Sequence, residues 1–266
     1  MESDILSAGT IKEGLQTSCF GKEVIYLPFT TSTNRVAKEA AHKGMQEGTL
    51  VITDHQTEGR GRLGRTWWSP PGKDLLFSLI FRPSLTTTQT FRLTVVSSLA
   101  ITEAIRQETG LETLIKWPND IFIKGKKIAG ILSELSGTSE RLEYVIVGIG
   151  MNVNCDPKDC AEIYDSATSL WRELKQKFPR LQLLNTILEL IEIYYQQLQA
   201  GDFSSLKNRW DTLSLITNRK VSVESTGEVY QGIVESIDDD GILTLRDHLD
   251  NRKRIVCADV SLSLLK

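Results

Sequence analysis

Apolar residues along this chain switch between two periods, and the switches mark out its elements. In "TTSTNRVAKEAAHKG", Ser, Thr and Asn capping groups precede an apolar face at Val36, Ala37, Ala40 and Ala41, and Gly44 ends it; this predicts a short helix. "TLVITD" and "LLFSLIFRP" have the length and composition of strands, the second closed by Pro83, so the segment between them is a loop. Helical spacing then returns and predicts a helix from Gln89 to Thr109, stopped by Gly110. "TLIKW", "DIFIKGKKIAGILSEL" and "RLEYVIVGIGMNVN" follow, separated by Gly/Lys and Gly/Ser turns, and read as a meander of adjacent antiparallel strands. "LLNTILELIEIYYQQLQAG" is an amphipathic helix, and a shorter one carries Phe203, Leu206 and Trp210.

From Arg219 the pattern becomes short alternating strands, "KVSVES", "EVYQGIVESI", "GILTLR" and "RKRIVCADVSLSLL", joined by "STG" and "DDDG". This predicts a small β-barrel as a second domain, and a division into residues 1–217 and 218–266. Because the strands cluster in hairpins and do not alternate regularly with helices, the class is α+β.

The 266 residues suffice for one substantial core and a small second domain. No apolar run is long enough for a membrane span, and the N-terminus lacks the pattern of a secretory signal; a cytoplasmic location is the expectation. Cys19, Cys155, Cys160 and Cys257 lack C-x-x-C spacing and a nearby histidine pair, which argues for reduced thiols and against a zinc site. A formal net charge of -3 excludes a generally basic nucleic-acid binder. It also makes one stretch stand out as a local concentration of positive charge.

That stretch is "QTEGRGRLGRTWWSP", the loop between the first two predicted strands. Its glycines fit G-x-G-x-x-G, but a dinucleotide-binding turn must open a helix, and Trp67-Trp68-Ser69-Pro70-Pro71 does not. A kinase lid is excluded as well, because position 66 is Thr and "GDFSS" lacks the required glycine. What remains is physical: glycines allow close backbone approach, arginines offer forked donors for phosphate or carboxylate, and the tryptophans can cover a flat ring. The alternative is a solvated basic turn.

"KWPNDIFIKGKKIAGILSE" is the second constellation. Lys116 and Lys127 can neutralise phosphate or carboxylate oxygens, and Asn119 and Asp120 can bind magnesium or orient an amine. Asn-Asp after Pro118 also reads as a turn cap.

"GRGRLGRTWWSP", "KWPNDI", "KIAGILSE" and "VGIGMNVN", in this order and spacing, resemble the catalytic domain of biotin protein ligases along nearly the full chain. The resemblance implies a central mixed, largely antiparallel sheet flanked by helices, of the kind shared with class II synthetases and lipoyl ligases, and a C-terminal SH3-like β-barrel. It implies biotin and ATP as substrates, Mg²⁺, and a biotin carboxyl carrier domain as acceptor partner. Biotin's carboxylate attacks the α-phosphate of ATP, and a carrier lysine then takes the biotinyl group from the adenylate. Such a reaction needs positioning and charge, not a covalent enzyme nucleophile.

The same resemblance assigns roles. Ser32, Thr33 and Asn34 match the segment that meets biotin's ureido group, with Gln56 helping; Ser32-Thr33 is equally well a helix cap. Gly59, Arg60, Arg62 and Arg65 match the loop over biotin and the adenylate phosphate, and Trp67 the aromatic beside adenine. Lys127 matches the lysine between carboxylate and α-phosphate, and Lys116 falls on the nucleotide side. Asn119 matches the nucleotide and metal-side residue, Asp120 the carboxylate that receives the incoming amine, and Gly130 a close wall of the biotin pocket. Asn152 matches a residue near adenine, with Gly148 and Gly150 permitting that approach or merely kinking the strand.

Some relatives carry an N-terminal helix-turn-helix domain. Here the first motif arrives at residue 32, so DNA binding is not expected. Dimerisation through the edge of the central sheet occurs in relatives, and the sequence leaves the oligomeric state open, homodimer included. The nearest rival is a lipoate or octanoate ligase or transferase of related fold.

Overall fold

The computed structural model describes residues 4–138, 142–225, 227–256 and 259–262. A seven-stranded sheet forms its centre: β1 (Val24–Leu27), β2 (Leu50–Thr53), β3 (Leu75–Phe81), β4 (Leu114–Lys116), β5 (Asp120–Ile123), β6 (Lys126–Gly137) and β7 (Leu142–Met151). The spatial order is β1-β2-β3-β7-β6-β5-β4. Only β1 and β2 are parallel; the other pairs are antiparallel. The expected meander is therefore present as β4 to β7, with a turn at Lys124-Gly125 dividing the middle segment into two strands; both turn residues have positive φ.

Helix α1 (Ala8–Gly14) is near the N-terminus, and α2 (Thr33–His42) follows β1. The long helix α3 (Phe91–Thr109) ends on Gly110 at φ 71, the left-handed cap anticipated from sequence. Then come α4 (Leu170–Leu174), α5 (Arg180–Gln199) and α6 (Phe203–Thr212). β1, α1 and α4 were not anticipated; each is too short to show a clear period.

The two faces of the sheet are covered differently. On one face, Phe77, Leu79, Val145, Val147 and Ile131 join the main core with residues of α3 and α5. On the other, Val51, Ile80, Tyr144 and Ile146 lie under Ala37, Ala40 and Ala41 of α2. Strand alternation carries this second face onward from Ile146 to Gly148, under Asn34 at the start of α2, and to Gly150 on the floor of a cavity.

The C-terminal unit is a five-stranded antiparallel sheet of β8 (Lys220–Ser225), β9 (Glu228–Ile237), β10 (Leu243–Arg246), β11 (Arg252–Ile255) and β12 (Asp259–Leu262), in the order β11-β10-β9-β8-β12. The α+β class with a small all-β C-terminal unit thus holds. Cys19, Cys155 and Cys160 are free thiols, and Cys257 lies outside the described residues. Among the described residues no helix is long and apolar enough to cross a membrane.

Candidate active site

The cavity, about 520 Å³, is walled by residues from five separate segments. They are the start of α2, the glycine-arginine loop, the β4–β5 turn with the start of β6, the middle of β7, and the loop 162–167. Their meeting is a consequence of sheet register. Gly130 pairs with Gly150 and Leu132 with Gly148, and on the other side Ser78 of β3 pairs with Gly148. Residues two apart on neighbouring strands share a face, so three strands together make the cavity floor.

Each floor glycine clears space for a particular side chain. A Cβ on Gly148 would lie 2.0 Å from Asn34 Oδ1, and one on Gly150 would lie 2.5 Å from Trp67 Cε2. One on Gly130 would meet Trp67 Cζ3 and Lys127 Nζ, both at 3.1 Å. Gly148 therefore makes room for Asn34, and Trp67 lies across Gly150 and Gly130 on the floor.

At the α2 end, the Thr33 backbone N–H and hydroxyl both donate to Gln56 Oε1, at 2.8 and 3.2 Å. Asn34 is held by the Ser78 hydroxyl at 2.7 Å and donates to the Leu132 carbonyl and Glu134. Ser32 holds the N-cap position without a side-chain capping bond, and it also lines the cavity.

The glycine-arginine loop is a small hairpin. Arg60 bridges Thr66, the Gly61 N–H donates to the Arg65 carbonyl at 2.7 Å, and the Trp67 N–H donates to Gly59 at 2.9 Å. Leu63 and Gly64 take positive φ at its tip. Gly59 does not line the cavity: its missing side chain leaves room for the Trp67 carbonyl, which a Cβ would approach to 2.5 Å. Its contribution is to the hairpin and not to a ligand wall.

Two carboxylates, the half-buried Asp54 and the buried Asp74, hold the ends of this loop. Asp54 accepts from Arg180 Nη1 and from the Tyr26 hydroxyl, each at 2.7 Å, and the Tyr26 bond pushes the phenol pKa up to about 12. At the other end Asp74 accepts from the Ser69 hydroxyl and from the Val153 and Cys155 N–H groups. Burial raises the pKa of Asp74 despite those donors.

Arg60, Arg62, Arg65, Lys116 and Lys127 all reach the cavity. Arg62 Nη1 donates to Asn119 Oδ1 at 3.2 Å, and the Asn119 amide nitrogen donates to the Ile131 carbonyl at 2.6 Å. Lys127 Nζ is 2.7 Å from Asp120 Oδ1 and 5.4 Å above the Trp67 ring. Lys116 Nζ lies 5.3 Å over Phe122. Asn119, the residue expected on the metal side, turns its oxygen to a guanidinium, and Asp120 faces an ammonium; no group of three His, Cys, Asp or Glu able to hold a metal occurs among the described residues.

Asn152 is on the wall, its Nδ2 donating to Thr168 while Oδ1 is buried without a partner; Trp67 Nε1 is buried and unpartnered too. Unpaired buried polar atoms are uncommon in finished cores, and these two lie on the cavity wall, within reach of a ligand placed there. The sequence reading missed Ser78, Asp74 and the loop Glu162–Ala167. Ser78 carried a signal, a lone hydroxyl within the apolar run "LLFSLIF". The 162–167 loop carried none: it is fastened beside β6 by backbone bonds from Lys127 to Ser166 and from Thr168 to Lys127.

The sequence profile of the biotin/lipoate A/B protein ligase family matches residues 26–152. The bifunctional ligase/repressor BirA of Bacillus subtilis is 37% identical over 258 residues, 97% of this chain and 79% of that protein. A biotin–[acetyl-CoA-carboxylase] ligase of Paracoccus denitrificans is 32% identical, covering 82% of this chain and 91% of that one. The structure of the biotin protein ligase of Aquifex aeolicus in complex with biotin and ATP superposes with a TM-score of 0.76 at 28% identity, over 90% of this chain and 98% of that one. With its fold, its cavity and its motifs in agreement with these relatives, the chain belongs to the biotin/lipoate A/B protein ligase family, among the biotin protein ligases.

Proposed function

We propose that the protein condenses biotin with ATP and transfers the biotinyl group to a lysine of a biotin carboxyl carrier domain. The observation that carries this reading is how the cavity sorts its chemistry. The α2 end is neutral and offers short-range hydrogen bonding from Ser32, Thr33 and Gln56; the hairpin and β4–β5 end is cationic; Lys127 and Trp67 lie between. A ligand with a neutral polar head, an apolar middle and an anionic far end suits it. Biotin has a ureido head and a valeryl carboxylate, and its adenylate adds a phosphate.

In this reading Ser32, Thr33 and Gln56 take the ureido group. Lys127 lies between the carboxylate and the α-phosphate, where its ammonium offsets the repulsion of two anions. A carboxylate oxygen bonds to phosphorus as the bond to the β-phosphate oxygen breaks, and pyrophosphate leaves. Arg60, Arg62 and Arg65 of the hairpin close on the phosphate, while Trp67 Nε1 and Asn152 Oδ1 supply a donor and an acceptor for the nucleotide. Magnesium arrives on ATP as part of the substrate. In the second step the lysine amine attacks the acyl carbon and AMP leaves. Asp120 orients the amine and takes its proton, since a free lysine is mostly protonated at neutral pH.

Biotin-dependent exchange of pyrophosphate into ATP tests the reading. Exchange is expected with biotin and magnesium and not with octanoate or lipoate. Exchange with octanoate alone would assign the chain to the other branch of the family.

A further inference from the structure

Asn119 and Asp120 sit where β4 turns into β5, and Trp117 opens that turn. Trp117 is not on the cavity wall; it is 1% exposed, and its Nε1–H donates to the Gly241 carbonyl at 2.9 Å. Gly241 lies 124 residues away, in the turn between β9 and β10 of the C-terminal sheet.

Three constraints fix that carbonyl. Gly241 has φ +82, which disfavours any other residue. A Cβ there would lie 2.5 Å from the Phe91 ring at the start of α3. Asp238 Oδ1 accepts from the N–H groups of Asp240 and Ile242, at 3.1 and 2.9 Å, and the Gly241 N–H donates to the Asp238 carbonyl at 3.0 Å. Packing alone would be served by any large apolar side chain at 117. An indole requires a buried acceptor, and the C-terminal sheet supplies one on a turn with little freedom to move.

The connection from there to the site is short. Lys116 pairs with Asp120 across the turn. Asn119 accepts from Arg62, and Asp120 pairs with Lys127. We infer that the C-terminal sheet positions the Asn119–Asp120 turn through the Gly241–Trp117 hydrogen bond, which makes Trp117 a positioning residue for biotin transfer; this rests on the function proposed above. The C-terminal sheet is then part of the active site's supporting structure, although none of its side chains lines the cavity among the described residues.

The test uses the full chain. Pyrophosphate exchange reports the first step, and transfer from supplied biotinyl-5′-AMP to a carrier domain reports the second. Trp117→Phe removes the donor and keeps an aromatic ring in the core, while Asp238→Ala loosens the acceptor's turn. Each is expected to lower transfer turnover roughly tenfold, the size of one buried hydrogen bond, with the KM for biotin unchanged. The double variant should be no worse than the poorer single one, because both act on one contact. Asp239→Ala, an exposed change in the same turn, should match the parent.

Parental turnover in both single variants, or losses that multiply in the double variant, would overturn the inference. If Trp117→Phe does not fold, Asp238→Ala alone decides between roughly tenfold loss and parental turnover. Failure of the underlying reading shows separately, as a parent without biotin-dependent exchange. The variants are then compared using the acid that the parent does activate.

Discussion

Gly148→Ala is the most direct test of how the cavity is built. The added methyl would lie 2.0 Å from Asn34 Oδ1 and 2.8 Å from its Cγ, so the amide must move by more than an ångström to reach ordinary contact. That amide has nowhere to go without loss, because it accepts from Ser78 at 2.7 Å and donates to Leu132 at 3.2 Å and Glu134 at 2.7 Å. Asn34 is buried, so a broken bond leaves an unsatisfied group at about 1–3 kcal/mol, and overpacking adds about 1–3 kcal/mol. Allowing for partial relaxation, a loss of about 3 kcal/mol follows, a large share of a domain's usual stability. Urea unfolding would measure it, and the KM for biotin in the exchange assay should rise, since Asn34 adjoins the Thr33–Gln56 contact. Asn34→Ala in the same chain should recover part of the loss by removing the clash. A single variant within about 1 kcal/mol of the parent, or no recovery in the pair, would refute the reasoning.

Three further outcomes are expected. Lys127→Ala should slow biotin-dependent exchange by about a thousandfold, because two charges about 4 Å apart at an effective dielectric of ~20 interact by about 4 kcal/mol; a loss below about tenfold removes Lys127 from the reaction centre. Its effect on unfolding should be small, since its pair with Asp120 is partly solvated. Arg62→Gly deletes the hairpin's bond to Asn119 and should release the adenylate, seen as labelling of lysines on bystander proteins; retention equal to the parent's counts against a closing role for the hairpin. Glu192 is buried, which opposes ionisation, yet donors from Ser18, Cys19 and Phe20 hold its pKa below the ordinary glutamate value. Because the folded value is the lower one, its stabilisation is present above the unfolded value of 4.5 and is lost as pH falls through the folded value. Glu192→Gln should therefore cost about 2 kcal/mol at neutral pH and show a shallower acid loss than the parent; parallel unfolding curves against pH would exclude this.

Much of the site was legible in the chain because its chemistry is concentrated in contiguous runs. The arginines between glycines suited an anion, and Trp67-Trp68 with two prolines barred a helix, so residue types alone narrowed the stretch to an anion-binding loop or a solvated basic turn. Lys127 and Asp120 were each legible as charged groups of one β-hairpin, but that they pair was seen only in the structure. The helix end at Gly110 and the β4–β7 meander were equally local. Each of these rests on backbone preference or on short-range pairing, which sequence records directly.

What the sequence could not decide was which distant groups meet. Gly148 and Gly150 differ by one strand repeat and look alike, yet one accommodates Asn34 and the other Trp67, because register sets what lies above each. Gly59 appeared to belong to a ligand wall and instead makes room for a backbone carbonyl of its own hairpin. Ser32 holds the N-cap position of α2, yet only the geometry shows that its side chain makes no capping bond. Asp74 reaches across to Val153 and Cys155, and Trp117 reaches Gly241. The chain itself determined that lysines and arginines would serve an anion and that an aspartate would serve an amine. Only the tertiary structure decided how they are aimed, because aim depends on sheet register and buried hydrogen bonds between segments far apart in sequence.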